Sequence, residues 1–125
     1  MTKSYLYRKI LIIEDDEIFL KPLVKFLTTN QFQVNIANNA LTGIDLQDNI
    51  KFDIIITDLR MEGMSGAEAI TKISAKYPDS KIIVVSGFVK EDEEFKQIKN
   101  NTQVCAVYEK PVDFNELLDK IKESL

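Results

Sequence analysis

A chain of 125 residues with 45% hydrophobic and 29% charged residues has the length and composition of one folded globular domain, and a disordered chain is excluded. The net charge of −4 lacks the basic excess of a nucleic-acid-binding face, so we expect no direct contact with nucleic acid. With no His and a single Cys105, the chain also lacks the ligands of a zinc site and the partner for an internal disulfide.

Five short apolar segments predict β-strands. The first, Lys9–Ile13, is a continuous aliphatic run rich in β-branched residues, as is typical of a strand buried on both faces. The second alternates polar and apolar residues, which indicates one wetter face, and the other three repeat the buried type. The four later predicted strands are Gln33–Ala37, Phe52–Thr57, Lys81–Val85 and Val104–Tyr108.

Segments with helical periodicity separate the strands. Asp16 is placed to cap a first helix whose apolar stripe runs to Leu27. Pro22 falls in about its second turn and removes one backbone donor, which predicts a local kink or a late start of the helix. The four other predicted helices are Asn39–Leu46, Ala67–Lys76, Glu91–Asn100 and Asp113–Leu125.

Regular alternation of strands and helices predicts parallel β-α-β units with helices on both faces of one sheet. We therefore expect an α/β fold: a doubly wound five-stranded parallel sheet with five helices, of the flavodoxin-like (βα)5 type. The chain should form one domain over residues 1–125, with its core from about residue 8 to residue 125. In such sheets ligands bind at the carboxyl ends of the strands, where the winding direction switches.

Polar residues follow four of the five predicted strands. Taken singly, each is explained by helix capping or turn formation. Together they bring carboxylates, a hydroxyl and an ammonium to one edge of the sheet. Oxygen ligands without His or thiolate suit Mg²⁺, and the added lysine and hydroxyl could stabilise a phosphoryl group transferring to a carboxylate. The residues concerned are Glu14, Asp15 and Asp16 after the first strand, Asp58 after the third, Ser86 and Gly87 after the fourth, and Lys110 and Pro111 after the fifth.

Four segments carry a resemblance to a known family. They read ILIIEDDE, IIITDLRMEGMSG, IIVVSG and YEKPVDFNELL, and they occur in family order with family-like spacing. On these segments the chain, from about Arg8 to Leu125, resembles a receiver domain of the bacterial response regulators, the phosphoryl-accepting half of two-component signalling. Each segment alone is weak evidence, whereas the set is highly specific.

The resemblance implies roles for individual residues. Asp58 would be the phosphoacceptor, Ser86 the switch hydroxyl and Lys110 the lysine of the family pattern. Asp16 would then be only a helix cap. The implied ligands of Mg²⁺ are Asp15, Asp58 and the backbone carbonyl of Arg60, with Glu14 acting through water.

The implied function is signalling rather than enzymatic. A partner histidine kinase or histidine phosphotransfer protein would phosphorylate Asp58, and the phosphoryl group would draw Ser86 and Lys110 toward it. The population would then shift between two arrangements of the loop after the fourth strand and of the fourth helix, changing the surface formed by helix 4, strand 5 and helix 5. The downstream partner, or an attached output domain, is left open.

Two positions depart from the family pattern. Glu62 stands where many members have Pro, which removes rigidity from the loop after Asp58 and adds a negative charge near the site. Val107 stands where many have an aromatic switch residue. Tyr108 follows it and, by strand alternation, should face the opposite side of the sheet.

Two other functions are compatible with parts of the pattern. A pseudo-receiver would keep the fold as an interaction module without phosphorylation, but the full set of acids and the lysine argues against it. A phosphohydrolase of the haloacid-dehalogenase kind also uses an Asp after a strand, with Mg²⁺ and a lysine. Such an enzyme normally has a second Asp two residues later, where this chain has Arg60.

The sequence contains no signal for membrane insertion. No apolar run approaches the ~20 residues of a membrane span, and the start MTKSYLYRK precedes no apolar segment of a secretory signal. We therefore expect a cytoplasmic protein with no membrane partner.

Overall fold

The computed structural model describes residues 5–87 and 93–125. Within these residues, five strands alternate with five helices. In chain order they are β1 (Lys9–Ile13), α1 (Glu17–Thr29), β2 (Gln33–Ala37), α2 (Ala40–Asn49), β3 (Ile54–Thr57), α3 (Gly66–Lys76), β4 (Ile82–Ser86), α4 (Glu93–Ile98), β5 (Val104–Glu109) and α5 (Phe114–Ser124).

The strands form one parallel sheet in the order β2-β1-β3-β4-β5. The winding direction reverses between β1 and β3, so the crevice that usually holds a ligand lies at their carboxyl ends. Ile13, the last residue of β1, pairs with Thr57, the last residue of β3. The residues that follow them, Glu14 and Asp58, therefore leave the sheet side by side. The predicted doubly wound α/β fold is confirmed.

Each face of the sheet is covered by its own apolar core. Side chains of β1 alternate between the two, with Ile10 and Ile12 on one face and Leu11 and Ile13 on the other. The first core is closed by α1 and α5, and the second by α2, α3 and α4. Because the central strands are buried on both faces, their sequences are continuously apolar, as predicted.

Helix starts follow the capping residues in the sequence. The Asp16 carboxylate accepts a hydrogen bond from the Ile18 N–H at 3.0 Å, which confirms Asp16 as the cap of α1. This helix begins at Glu17 and continues through Pro22, so the predicted late start is wrong. Pro22 lacks a backbone N–H, so it removes one hydrogen bond to the preceding turn. The Asp16 cap and the buried Leu23 keep that turn helical.

Most predicted boundaries hold to within a few residues. Strand β3 begins at Ile54 rather than Phe52, and Phe52 is buried just before it. Strands β4 and β5 each continue one residue further than predicted, to Ser86 and Glu109. Helix α2 runs to Asn49. The predicted helix at 91–100 is α4, and residues 91 and 92 lie outside the described residues.

A bulge in β5 sets which way its side chains face. Ile82 pairs with Val104 and Ile83 pairs with Ala106, so Cys105 is the extra residue. Beyond the bulge, Val107 packs in the core of α2, α3 and α4, and Tyr108 packs in the core of α1 and α5. The predicted opposite facing of these two residues is confirmed.

The surroundings of Tyr108 agree with this placement. Burial raises the pKa of its hydroxyl, and the charges of Glu116 and Glu123 on α5 add to the effect. Tyr108 therefore lies against α5 and away from the switch position on the other face. None of the helices in the described ranges has both the length and the apolar character needed to cross a bilayer.

Candidate functional site

Asp58 is a buried carboxylate at the end of β3, with only 7% of its surface exposed. Its Oδ1 accepts hydrogen bonds from the Ser86 hydroxyl and, at 3.1 Å, from the Arg60 backbone N–H. Its Oδ2 lies 3.0 Å from Lys110 Nζ. Each donor offsets part of the cost of burying a charge at the end of an apolar strand.

Lys110 joins two acidic residues from neighbouring strands. Its Nζ lies 2.7 Å from Glu14 Oε1 and 3.0 Å from Asp58 Oδ2. Its backbone N–H donates to the Ser86 carbonyl at 2.7 Å, which fixes the start of the side chain against the end of β4. Burial by itself lowers the pKa of Lys110, but the two carboxylates outweigh it and the net shift is upward. Lys110 is therefore held in its charged form.

Glu14 is more buried than Asp58, with 2% of its surface exposed. Its Oε2 accepts hydrogen bonds from the backbone N–H groups of Asp15 and Asp16, at 3.1 and 3.2 Å. Burial raises the pKa of Glu14 and the charge of Asp58 adds to this, whereas Lys110 and the Asp16 N–H act in the opposite direction. Both Glu14 oxygens are engaged, so this carboxylate positions Lys110 and shapes the loop after β1.

Asp15 lies at the open side of the site. It is exposed and lines a cleft of about 570 Å³ together with residues of the loops after β2 and β3. Glu62 and Gly63 line the same cleft, and Gly63 turns the loop with a φ of 87°. The extra negative charge expected from Glu62 is therefore placed in the cleft that holds Asp15.

The donor chemistry of this edge fits Mg²⁺. Carboxylates follow two adjacent strand ends, and Mg²⁺ binds through one or two carboxylates with waters completing its shell. Within residues 5–87 and 93–125, no group of three or more His, Cys, Asp and Glu side chains forms a metal site by itself. A site here would accordingly rest on Asp15, Asp58, a main-chain carbonyl and water.

An aromatic ring completes the surroundings of Lys110. Its Nζ lies 4.6 Å from the centre of the Phe19 ring, a distance suited to a cation–π contact. Phe114 packs against Phe19 edge to face, with 6.3 Å between ring centres. The sequence pattern assigned Phe19 only to the apolar stripe of α1. Its position in the first turn of α1, three residues after Asp16, was the one available signal.

Gly66 supports the main chain behind Asp58. Its N–H donates to the Leu59 carbonyl at 2.9 Å, which closes the loop between β3 and α3. A Cβ at this position would lie 1.9 Å from the Asp58 carbonyl oxygen and 2.6 Å from Leu59 Cα. Only glycine permits this approach, because both opposing atoms belong to the backbone. In the sequence Gly66 is only the residue before the helix predicted at Ala67, and nothing there indicates this contact.

Comparison with known proteins identifies the family. The response regulator receiver domain family matches residues 10–122. The chain belongs to this family. Among curated proteins, the receiver is 34% identical over 118 residues to the probable transcriptional regulator ycf29 of Pyropia yezoensis, covering 90% of this chain and 51% of that protein. It is 29% identical over 116 residues to the chemotaxis protein CheY of Listeria monocytogenes, covering 91% of this chain and 96% of that protein.

Solved structures of receiver domains have the same fold as this chain. A CheY-like receiver domain from Methanospirillum hungatei is 31% identical, with a TM-score of 0.85 over 93% of this chain and 91% of that one. The receiver thus spans about half the length of the first curated relative and nearly all of the second.

Four of the predicted site residues come together in the receiver: Glu14, Asp58, Ser86 and Lys110. Arg60 contacts Asp58 through its N–H, while the role predicted for its carbonyl stays a prediction. The metal-binding roles of Asp15 and Asp58, the role of Glu14 through water, and the phosphoacceptor role of Asp58 are likewise predictions.

Proposed function

We propose that Asp58 accepts a phosphoryl group from a phosphohistidine of a partner histidine kinase or histidine phosphotransfer protein. The observation that carries the proposal is the buried Asp58 carboxylate at the switch point of the sheet, with Lys110 and Ser86 on its two oxygens. Membership of the receiver family supports the same role. Residues 1–125 then act as one cytoplasmic signalling domain, not as an enzyme with a diffusible substrate.

The proposed step is a transfer between two proteins. A carboxylate oxygen of Asp58 forms a bond to phosphorus as the bond between phosphorus and the donor imidazole nitrogen breaks. The imidazole nitrogen leaves with the electron pair, and an acyl phosphate remains on Asp58. Lys110 stabilises the negative charge on the transferring oxygens, and the Ser86 hydroxyl supplies a neutral donor.

In this proposal Asp15, Asp58 and the backbone carbonyl of Arg60 would hold Mg²⁺, and Glu14 would act on it through water. When bound, the ion neutralises negative charge on the phosphoryl oxygens. The exposure of Asp15 and the carboxylates at neighbouring strand ends support this assignment. Glu14 contributes chiefly by orienting Lys110, since both of its oxygens are already engaged.

Phosphorylation then changes a surface through the end of β4. The Ser86 hydroxyl donates to Asp58, and the Ser86 carbonyl accepts from the Lys110 N–H. Movement of Asp58 or Lys110 therefore reaches the end of β4, which leads to α4. The surface formed by α4, β5 and α5 would change its preference for partners. Because Val107 replaces the aromatic residue common in the family, we propose that the change proceeds through Ser86 and Lys110 without an aromatic rotation.

Binding of a phosphoryl mimic tests this output. Beryllofluoride with Mg²⁺ is expected to shift the backbone amide NMR signals of Ser86, Lys110 and α4, whereas Mg²⁺ alone is expected to shift only those near Asp15 and Asp58. An Asp58→Asn variant serves as the control and should show no response to beryllofluoride. Signals of α4 that stay unchanged in the wild type, while Asp58 binds the mimic, would contradict the proposed output.

Ile18 offers a test of how the donor protein approaches. It is 88% exposed and lines an apolar surface cleft with Pro111 and Lys110, the residue whose Nζ contacts Asp58. We expect Ile18→Ser to slow phosphotransfer from a histidine kinase that labels the wild type by about tenfold, the effect of roughly 1.4 kcal/mol of docking free energy. Labelling by acetyl phosphate, which needs no protein contact, should be unchanged.

The matched control is Ile36→Ser, which removes a 43% exposed isoleucine from the edge strand β2. The measurement is the time course of radiolabel transfer from the kinase to the wild type, Ile18→Ser and Ile36→Ser. Equal transfer rates in Ile18→Ser and the wild type would show that the donor approaches from another side.

A further inference from the structure

A further cleft, of about 480 Å³, lies at the amino-terminal ends of β3 and β4, opposite the strand ends that carry Asp58 and Ser86. It is bounded by the end of α2, by the residues that lead into β3, and by the turn of residues 77–80 between α3 and β4. Its size is within the range of clefts that hold small molecules. Nothing in the proposed phosphoryl transfer uses it.

Gln47 is an unusual residue for the wall of this cleft. It occupies the buried face of α2, four residues after Gly43, and is only 4% exposed. Its Nε2 donates to the Ser80 hydroxyl at 3.1 Å. Its Oε1 is buried and has no hydrogen-bond partner among the described residues. A buried amide oxygen without a donor is unfavourable, so this side chain is better suited to a bound state than to the empty one.

Ser80 supplies the complementary group. It is 6% exposed, and its hydroxyl accepts the bond from Gln47, so its own proton can be donated to another group. Gln47 and Ser80 therefore present one acceptor and one donor side by side in the lining of the cleft. If the Gln47 amide is turned over, its NH₂ becomes the unpaired group, so a ligand with both a donor and an acceptor matches either orientation.

The turn that carries Ser80 is held firmly from outside the cleft. Gln103 Nε2 donates to the carbonyls of Tyr77 and Ser80, at 3.0 Å each. The Tyr77 hydroxyl donates to Asp48, which also pairs with Lys76 at 2.6 Å. Asp48 and Lys76 at the rim are thus engaged with each other, and Ile50, Phe52 and Tyr77 supply aromatic and aliphatic lining for an apolar body.

We propose that this cleft binds a small ligand with a carboxamide group on a planar apolar body. The ligand N–H would donate to Gln47 Oε1, and its carbonyl would accept from the Ser80 hydroxyl. Because Oε1 is covered in the structure, binding requires a small shift of the Gln47 side chain or of the turn. The site is separate from the acceptor, so the proposal does not depend on phosphorylation of Asp58.

Titration with benzamide, followed by NMR of the side-chain amide of Gln47 and the backbone amide of Ser80, tests this site. Saturable shifts are expected in the wild type, and the same shifts are expected in Asp58→Asn. Methyl benzoate has the same ring and a carbonyl but no N–H donor, and it should bind at least about fivefold more weakly. Shifts that do not saturate, or equal binding of the two probes, would overturn the proposal.

Two variants check the named contacts. Gln47→Met keeps the length of the side chain without its polar atoms, and Ser80→Ala removes the hydroxyl donor. Each is expected to weaken benzamide binding at least fivefold, and a thermal unfolding curve for each establishes that it is folded. Should one variant fail to fold, the other decides the test. Unchanged benzamide affinity in a folded variant would contradict the assigned contact.

Discussion

A Gly66→Ala variant is expected to lose about 3–5 kcal/mol of unfolding free energy, near the upper end of the range for single substitutions. The added Cβ would lie 1.9 Å from the Asp58 carbonyl oxygen, far inside contact distance. Moving either group apart would cost free energy, because Gly66 is the first residue of α3 and the opposing atoms belong to the main chain of Asp58 and Leu59. Urea unfolding monitored by circular dichroism measures the loss.

Gly87→Ala is the matched control, since a Cβ at Gly87 meets nothing within 4 Å. We expect this variant to change the unfolding free energy by less than about 1 kcal/mol. If Gly66→Ala is folded at all, the forced shift of the Asp58 main chain should also lower its rate of phosphorylation. A Gly66→Ala variant as stable as Gly87→Ala would contradict the close approach of Gly66 to the Asp58 carbonyl.

Replacing Lys110 with Met is expected to reduce the rate of phosphoryl transfer to Asp58 by 100-fold or more, the usual effect of losing one preorganised charge at a reacting group. Lys110 Nζ lies 2.7 Å from Glu14 Oε1 and 3.0 Å from Asp58 Oδ2, so the two carboxylates share one cation. Without it, the two buried carboxylates lose the cation that they share, and no lysine charge remains to stabilise the transferring phosphoryl oxygens.

Lys122→Met provides the control. Lys122 also lies over an aromatic ring, that of Tyr5 at 5.5 Å, but it belongs to the last turn of α5, whereas Lys110 precedes that helix. Initial rates of labelling by acetyl phosphate at saturating Mg²⁺ compare the two variants with the wild type. We expect Lys122→Met to match the wild type, and an equally fast Lys110→Met would remove Lys110 from the proposed mechanism.

The architecture was predictable because the apolar pattern is unusually plain. Strands β1 and β2 both have the predicted bounds. Their continuous or alternating apolar runs end abruptly at polar residues. Parallel pairing then places the residues after each strand at one edge. For that reason the grouping of Glu14, Asp58, Ser86 and Lys110 could be anticipated from strand ends alone.

Contacts between distant parts of the chain could not be anticipated in the same way. Phe19 satisfies the apolar stripe of α1 whether or not its ring faces Lys110, and only packing of α1 against the sheet decides this. Gly66 is compatible with any loop until the main chain of Asp58 is placed against it. Gln47 gives no signal in the helical pattern, because a buried amide depends on its partner Ser80, 33 residues later.

Pro22 shows the limit of a local rule. Proline within a helix normally costs a hydrogen bond and disturbs the turn before it, which predicted a local kink or a late start. In the structure the Asp16 cap and the burial of Leu20 and Leu23 keep the first turn, and α1 begins at Glu17. Tertiary packing therefore outweighs the local cost at this position.

Incubation with acetyl phosphate and Mg²⁺, followed by intact mass and peptide mapping, tests the central proposal most directly. We expect one phosphoryl group per chain, attached to Asp58, dependent on Mg²⁺ and absent from Asp58→Asn, with the chemical lability of an acyl phosphate. Labelling that is stable to acid, independent of Mg²⁺, or retained in a folded Asp58→Asn variant would contradict the account.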